Sequence, residues 1–174
     1  MANKEARREL QGRLAERLRD AQDQADSATW LAVECAGQGF LLPLEQAGEI
    51  FPNSTLTAVP HTRHWFLGVA NLRGRLHGVV DLAAFLGLRV RPTPGAGRDT
   101  ARLVALNPEL EMHCALLVDR LAGLRTPDQM KDESPEGPRP GFAGRRLFDS
   151  AGRAWQELQL AALARHEAFL EIGR

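Results

Sequence analysis

The sequence predicts a mainly β domain, a barrel or sandwich of short strands, with one helix at each end. Three observations carry this. Apolar runs of strand length recur from Trp30 onward between Gly, Pro, Asn and Asp punctuation. Before Trp30 the period is helical, with Leu10, Leu14 and Leu18 at i, i+4 and i+8 among Arg, Glu, Gln and Asp. After residue 157 the helical period returns, with Leu160, Leu163, Ala164 and Ala168 on one face of a helix over residues 158–170.

Each element has a local reason. The helix of residues 4–26 has a narrow apolar stripe, and Gly12 weakens it by roughly 1 kcal/mol relative to Ala. With so little apolar surface it either docks on a body or partner or remains a solvated extension. Residues 30–35 and 40–44 read as strands around an Ala36-Gly37-Gln38-Gly39 turn. Residues 45–51 fit either period, residues 56–59 read as a short strand stopped by Pro60, and residues 61–64 form a polar connection. Residues 66–82 form a hairpin turning at Arg73-Gly74, with Asn71 beside the turn. Asp81 is placed to cap a short helix that Gly87 ends in a left-handed conformation. Residues 91–99 read as a loop, residues 101–106 and 112–118 as strands, and residues 127–144 as a long mobile surface loop. Residues 145–148 and 153–157 flank a further hairpin-like connection at Asp149-Ser-Ala-Gly152.

Composition narrows the function. Hydrophobic residues make up 44% and charged residues 25%, and Lys+Arg balance Asp+Glu at 22 each. Such a chain lacks the excess of basic charge that non-specific nucleic-acid binding uses, although a β-barrel nucleic-acid binder remains an alternative to test by salt-dependent shifts. Cys35 and Cys114 each lie in an apolar stretch and read as buried free thiols of a reducing compartment. The charged N-terminus lacks a signal-peptide core, and no apolar run approaches the ~20 residues of a membrane span, so a soluble cytoplasmic chain is expected.

Catalytic signatures are missing. No Walker loop, dinucleotide-binding glycine motif or nucleophile elbow occurs, and Gly68, Gly74 and Gly78 punctuate a hairpin. His61-x-x-His64, with His77, is the one metal-site candidate and supports the alternative reading of a small metal-dependent enzyme. His113 and Cys114 are strand neighbours pointing to opposite faces, so they do not form a nucleophile pair. His166, on the C-terminal helix, is expected to be exposed.

Several segments resemble CheW-like domains in order and spacing. They are Phe40-Leu-Leu-Pro-Leu44, Glu49-Ile50, Val59-Pro60, Trp65-Phe-Leu-Gly68, Asn71-Leu-Arg-Gly74, Val80-Asp-Leu82, Phe85-Leu-Gly87 and Leu117-Val-Asp119. The C-terminal Ala162-Leu-Ala-Arg-His-Glu-Ala-Phe-Leu-Glu171 and the charged N-terminal extension resemble the PilI-type members, the adaptors of type IV pilus twitching motility. The resemblance implies two SH3-like five-stranded β barrels sharing a core over residues 30–170, between a helical extension at 1–29 and a tail at 171–174. It implies a non-catalytic, cofactor-free adaptor. Its partners would be the regulatory domain of a CheA-type histidine kinase and the cytoplasmic tip of a methyl-accepting, PilJ-like receptor at membrane-associated arrays. A general flagellar-type CheW adaptor is the alternative within the family.

By the same resemblance, a cleft between the barrels takes side chains of the receptor's helical hairpin. Val69 serves as apolar floor, and Asn71 and Arg73 orient the partner beside the Gly74 turn. Glu49 is expected to pair with Arg73 across adjacent strands. Ile50, Phe51 and Leu56 form the kinase patch on the first barrel's outer face, or else belong to the core. Two departures from the family stand out. Gly78 replaces a frequent Pro, predicting a looser strand, and Leu158-Gln159-Leu160 replaces a Leu-Asp-Leu, removing a helix cap.

Overall fold

The computed structural model describes residues 2–90, 99–134 and 136–174, with the side chains of 2–4 and 24–27 excepted. The expected loop at 91–99 lies, apart from Asp99, outside the described residues. A five-stranded sheet contains β3 (Ala47–Pro52), β6 (Arg102–Leu106), β7 (Cys114–Val118), β5 (Arg75–Asp81) and β4 (Phe66–Leu72), in that spatial order. A six-stranded sheet contains β8 (Arg120–Arg125), β1 (Trp30–Cys35), β2 (Gln38–Pro43), β11 (Ala154–Leu158), β10 (Ala143–Phe148) and the two-residue β9 (Lys131–Asp132). The first two strands thus belong to the sheet completed by the last four, and the two subdomains are intertwined. Each sheet contains one parallel pair, β5 with β7 and β2 with β11, and is otherwise antiparallel.

The first sheet closes on itself. After Pro52 the chain returns at Thr57 to pair with Val69, exchanging backbone hydrogen bonds of 2.8 and 2.9 Å. This brings the chain that follows β3 onto the β4 edge and closes the sheet at that point. Gly68, at φ +134°, permits it, since a Cβ there would run into the Thr57 carbonyl. The strand expected over residues 56–59 is reduced to this one bridge, because closure needs a single crossing point. The ambiguous residues 45–51 resolve as β3.

Alternation along the strands divides the interior into three. Ala70, Leu72, Val79, Leu103, Ala115 and Leu117 fill the first barrel. Trp30, Ala32, Leu41, Leu147 and Trp155 fill the second. Leu31, Val33, Leu42, Val104, Leu116 and Val118 point the other way, into a core between the barrels. The strands β1, β6 and β7 therefore bury both faces, which is why Trp30–Val33, Leu103–Leu106 and Cys114–Val118 read as hydrophobic runs without alternation. Glu157 is buried in the second barrel, where it accepts from the Trp30 indole Nε1 at 2.6 Å.

Short helices follow equivalent strands. The helix α2 (Leu82–Phe85) follows β5, and Asp81 caps it by accepting from the Ala84 amide at 3.2 Å; Gly87 then turns at φ +74°. The carboxylate does more than cap. It is fully buried and takes two hydrogen bonds from the Arg89 guanidinium, at 2.8 and 3.0 Å. Arg89 also donates to Asp119 at 2.8 Å, and the other Asp119 oxygen accepts from the Ala36 amide at 2.8 Å. One guanidinium thereby ties the end of α2 to the β7–β8 turn and, through it, to the β1–β2 turn of the other barrel.

Three C-terminal expectations change. The strand β8, pairing with β1, lies in a stretch where the sequence analysis placed no element. The predicted mobile loop at 127–144 is partly built, with a 3-10 turn at Pro127–Gln129, β9, and a buried Phe142 as anchor. The predicted single helix at 158–170 is Leu158 of β11 followed by α3 (Leu160–Leu163) and α4 (Glu167–Leu170). Both helices serve the shared core: Leu160 and Leu163 enter it from α3, and Phe169 of α4 joins it by stacking on Trp65 at 6.1 Å. Gln159 starts α3 without a side-chain cap, in keeping with the missing Asp. Both cysteines are free and buried, and burial pushes each thiol up to about 12.

Asp81→Ala removes the cap and leaves Arg89 without its buried partner, so it should cost about 3–5 kcal/mol in urea unfolding. Glu34 supplies a pH signature: hydrogen bonds from Arg120 and Arg153 hold its carboxyl at about 2, against an ordinary 4.5. A depressed folded pKa stabilises the protein above 4.5 and is lost as pH falls toward about 2. Thermal unfolding should therefore show Glu34→Gln less stable than wild type at neutral pH, with the gap closing across that acid window.

Candidate partner-binding surfaces

The tip of the β4–β5 hairpin is exposed. Leu72 faces Arg75 across the ladder, and the two turn residues, Arg73 at φ +50° and Gly74 at φ +77°, are both left-handed. Two positive φ values match the right-handed twist of the flanking strands, and Gly74 adopts one without a Cβ penalty. Ala70 and Leu72 point into the barrel, while Asn71 points out beside an exposed Leu76.

The Arg73 guanidinium meets Glu49 at 2.7 Å, with side chains 76% and 42% exposed. The expected pairing is present, but β3 and β4 are not neighbours. They stand at opposite ends of the strand order and meet through barrel closure. A bulge between Ala47 and Ile50 re-aims β3, and Gly48 lies where a Cβ would press on the Leu106 carbonyl. Glu49 and Arg73 border a cavity of about 460 Å³ that also takes in Phe51, Arg75, His77 and His113.

The other sequence-derived residues separate. Val69 is half-buried and its backbone carries the Thr57 bridge. Ile50 is 38% exposed, whereas Phe51 and Leu56 pack partly buried against the first barrel's core, so for those two the core reading applies. Gly78 has its own explanation. The Phe66 ring would touch a Cβ there, and the Gly78 amide donates to the His113 carbonyl at 3.0 Å, a bond a Pro would delete. The glycine thus seats Phe66 in place of stiffening the strand.

A second concavity was not read from the sequence. Its walls come from the six-stranded sheet on one side and from the segment before β4, α2 and the C-terminal segment on the other; they enclose about 890 Å³ and include Phe40, Trp65, Phe85, Phe142 and Leu158. Phe85 meets Trp65 edge-on at 5.1 Å and Phe169 at 5.2 Å. The C-terminal segment closes one side, with the Arg63 amide donating to the Ile172 carbonyl at 2.7 Å and Thr62 bridging Gly173. His166 also lines it. Against expectation this histidine is half-buried, edge-on to Phe142 at 4.9 Å, with Nδ1 closed from solvent and without a hydrogen-bond partner among the described residues. The available signal was Phe142 itself, an aromatic residue in a Pro, Gly and charge-rich segment.

His64 lines the inter-barrel groove and His77 the hairpin cavity, and among the described residues no three metal-ligating side chains gather. The two concavities differ in character: one is walled by Trp65, Phe85 and Phe142, the other is bordered by the Glu49–Arg73 ion pair.

Comparison with known proteins shows the family and the fold. The CheW-like domain family matches residues 29–168. The protein PilI of Pseudomonas aeruginosa is 28% identical over 166 residues, covering 92% of this chain and 89% of PilI. The chemotaxis protein CheW of Thermotoga maritima is 30% identical over 124 residues, covering 71% of this chain and 78% of that one. The crystal structure of the scaffolding protein TtCheW from Thermoanaerobacter tengcongensis superposes with a TM-score of 0.61 at 18% identity, over 76% of this chain and 89% of that chain.

The Glu49–Arg73 pair is too exposed to matter much for folding. Single and double alanine variants at both positions should give a coupling of at most about 1 kcal/mol in chemical denaturation.

Proposed function

The chain belongs to the family of CheW-like domains, which are non-catalytic scaffolds, and from that premise we propose that it is an adaptor coupling a methyl-accepting receptor to a CheA-type histidine kinase. The observation that carries the reading is the family match over both barrels, together with the Glu49–Arg73 pair held at the tip of a rigid hairpin. The likeness to PilI runs along 92% of the chain, so the proposed system is the one that controls type IV pili and twitching motility. A PilJ-like receptor then recruits the adaptor to membrane-associated arrays. Among the described residues, no helix is long and apolar enough to cross a membrane.

The receptor contact is assigned to Glu49, Val69, Asn71, Arg73 and Gly74. The guanidinium, anchored at one side by Glu49, keeps donors for a carbonyl or carboxylate of the partner. Asn71 adds an exposed amide on the same hairpin. Orientation is the purpose of this group, since exposed charges contribute little net affinity. The apolar part of the receptor's helices suits the inter-barrel groove, where burial is worth roughly 25 cal/mol per Å² before association costs. The kinase contact is assigned to the β3 side of the first barrel. Ile50 is its exposed member, and Phe51 and Leu56 support it from the core.

The test is co-elution of the chain with the kinase regulatory domain and, separately, with the receptor tip. Wild type should bind both. Arg73→Ala should lose about tenfold or more in receptor affinity and keep the kinase. Glu49 and Arg73 variants should couple in receptor binding, whereas additive losses would remove the pair from the mechanism. Binding of flagellar-class receptor tips with no binding of pilus-class ones would favour the general chemotaxis adaptor, and failure to bind either partner would defeat the adaptor reading.

A further inference from the structure

The strand β5 runs into α2 and β11 runs into α3, and the two junctions are capped differently. Asp81 before α2 and Gln159 before α3 share one extended backbone, φ −73° and ψ 104° against φ −77° and ψ 102°. Asp81 caps its own helix, whereas the Gln159 side chain makes no cap. The amide that a local cap would serve has a partner all the same. Gln46 Oε1 accepts from the Ala161 amide at 3.1 Å, across 115 residues of chain. A backbone N–H can only donate, so this contact fixes which end of the Gln46 side chain is oxygen. Its Nε2 then donates to Gln159 Oε1 at 3.1 Å, and Gln159 Nε2 donates to the buried Glu157 carboxylate at 2.8 Å.

Gln46 is itself held in place. It lies on the crossover from β2 of the six-stranded sheet to β3 of the five-stranded one. Its backbone donates to the Pro43 carbonyl at 3.0 Å and accepts from the Asn107 amide at 2.9 Å. The helix it caps leads directly into the groove wall. The Leu163 carbonyl accepts from the His166 amide, the His166 carbonyl from the Phe169 and Leu170 amides, and the Ile172 carbonyl from the Arg63 amide. His166, Ala168 and Glu171 of that segment line the groove, and Gln46 lies outside its lining. We propose that Gln46 is a positioning residue for partner binding: by capping α3 from the crossover it sets the C-terminal wall of the inter-barrel groove. It does for α3 what Asp81 does for α2. The partner, a receptor helix, is that of the adaptor reading, on which this role rests; the hold on the wall stands on the hydrogen bonds alone.

The experiment compares wild type, Gln46→Ala, and Gln46→Ala combined with Gln159→Asn, which returns a local cap to a backbone already extended for it. Amide hydrogen exchange of the full chain is read by NMR, and affinity for the receptor tip by calorimetry. In Gln46→Ala the Ala161 and Arg63 amides should exchange at least about tenfold faster, over and above any change in β1 and β7. Receptor affinity should fall about fivefold. Adding Gln159→Asn should bring both back to within about twofold of wild type. An Ala161 amide indifferent to Gln46→Ala overturns the cap. Acceleration confined to Ala161, or spread equally through β1 and β7, overturns the positioning role. So does an affinity that Gln46→Ala leaves unchanged or Gln159→Asn fails to restore. A wild type that binds no receptor tip overturns the adaptor reading and the partner role together, while the Arg63 amide separately decides whether Gln46 holds the wall.

Discussion

Several strands of this chain, β1, β2, β6 and β7 among them, are buried on both faces, and the rest of the molecule follows from that constraint. In β1, β6 and β7 successive side chains supply a barrel interior and a core shared between barrels. A strand of that kind cannot face water on either side, so neither barrel can exist in its native form without the other. The shared core fixes the relative position of the two sheets, and the groove between them inherits its shape. Arg89 reinforces the arrangement with a buried ion pair whose orientation is set by three hydrogen bonds. Desolvation offsets much of the attraction of such a pair, but losing one partner leaves the other charge uncompensated.

Much of the fold was legible because local chemistry and global fold agree. The hairpin at Arg73-Gly74, the Asp81 cap and the Gly87 turn each followed from turn and cap chemistry and are present. What was not legible involves contacts distant in sequence. The pairing of β8 with β1, the parallel pairing of β11 with β2, and the Thr57 bridge depend on closure of sheets and leave no local period. The C-terminal helix was misjudged because Leu158, Leu160 and Leu163 satisfy a helical period whether they enter one helix or end a strand and start another. Phe142 shows a further limit: a single aromatic residue can order a loop whose composition suggests none.

The candidate site divides in the same way. Glu49 and Arg73 were recoverable because a family motif marks them, and their ion pair is present at 2.7 Å. The route by which they meet was not recoverable, since β3 and β4 are sheet edges brought together by closure. Phe51 and Leu56 show how apolar residues in a half-buried strand read equally as docking patch or core. The aromatic groove of Trp65, Phe85 and Phe142 draws on segments far apart in the chain, so no window of sequence displays it. As an adaptor, the molecule needs no tuned acid, base or metal. It needs two surfaces that keep a fixed relation, and the shared core supplies that rigidity.

The central claim is that one rigid body holds receptor and kinase at the same time on separate surfaces. Sedimentation velocity of the chain mixed with both the kinase regulatory domain and the receptor tip tests this most directly. The account predicts a ternary species in which each partner's affinity is undiminished by saturation with the other. Competition, with each partner displacing the other from a single complex, would contradict it.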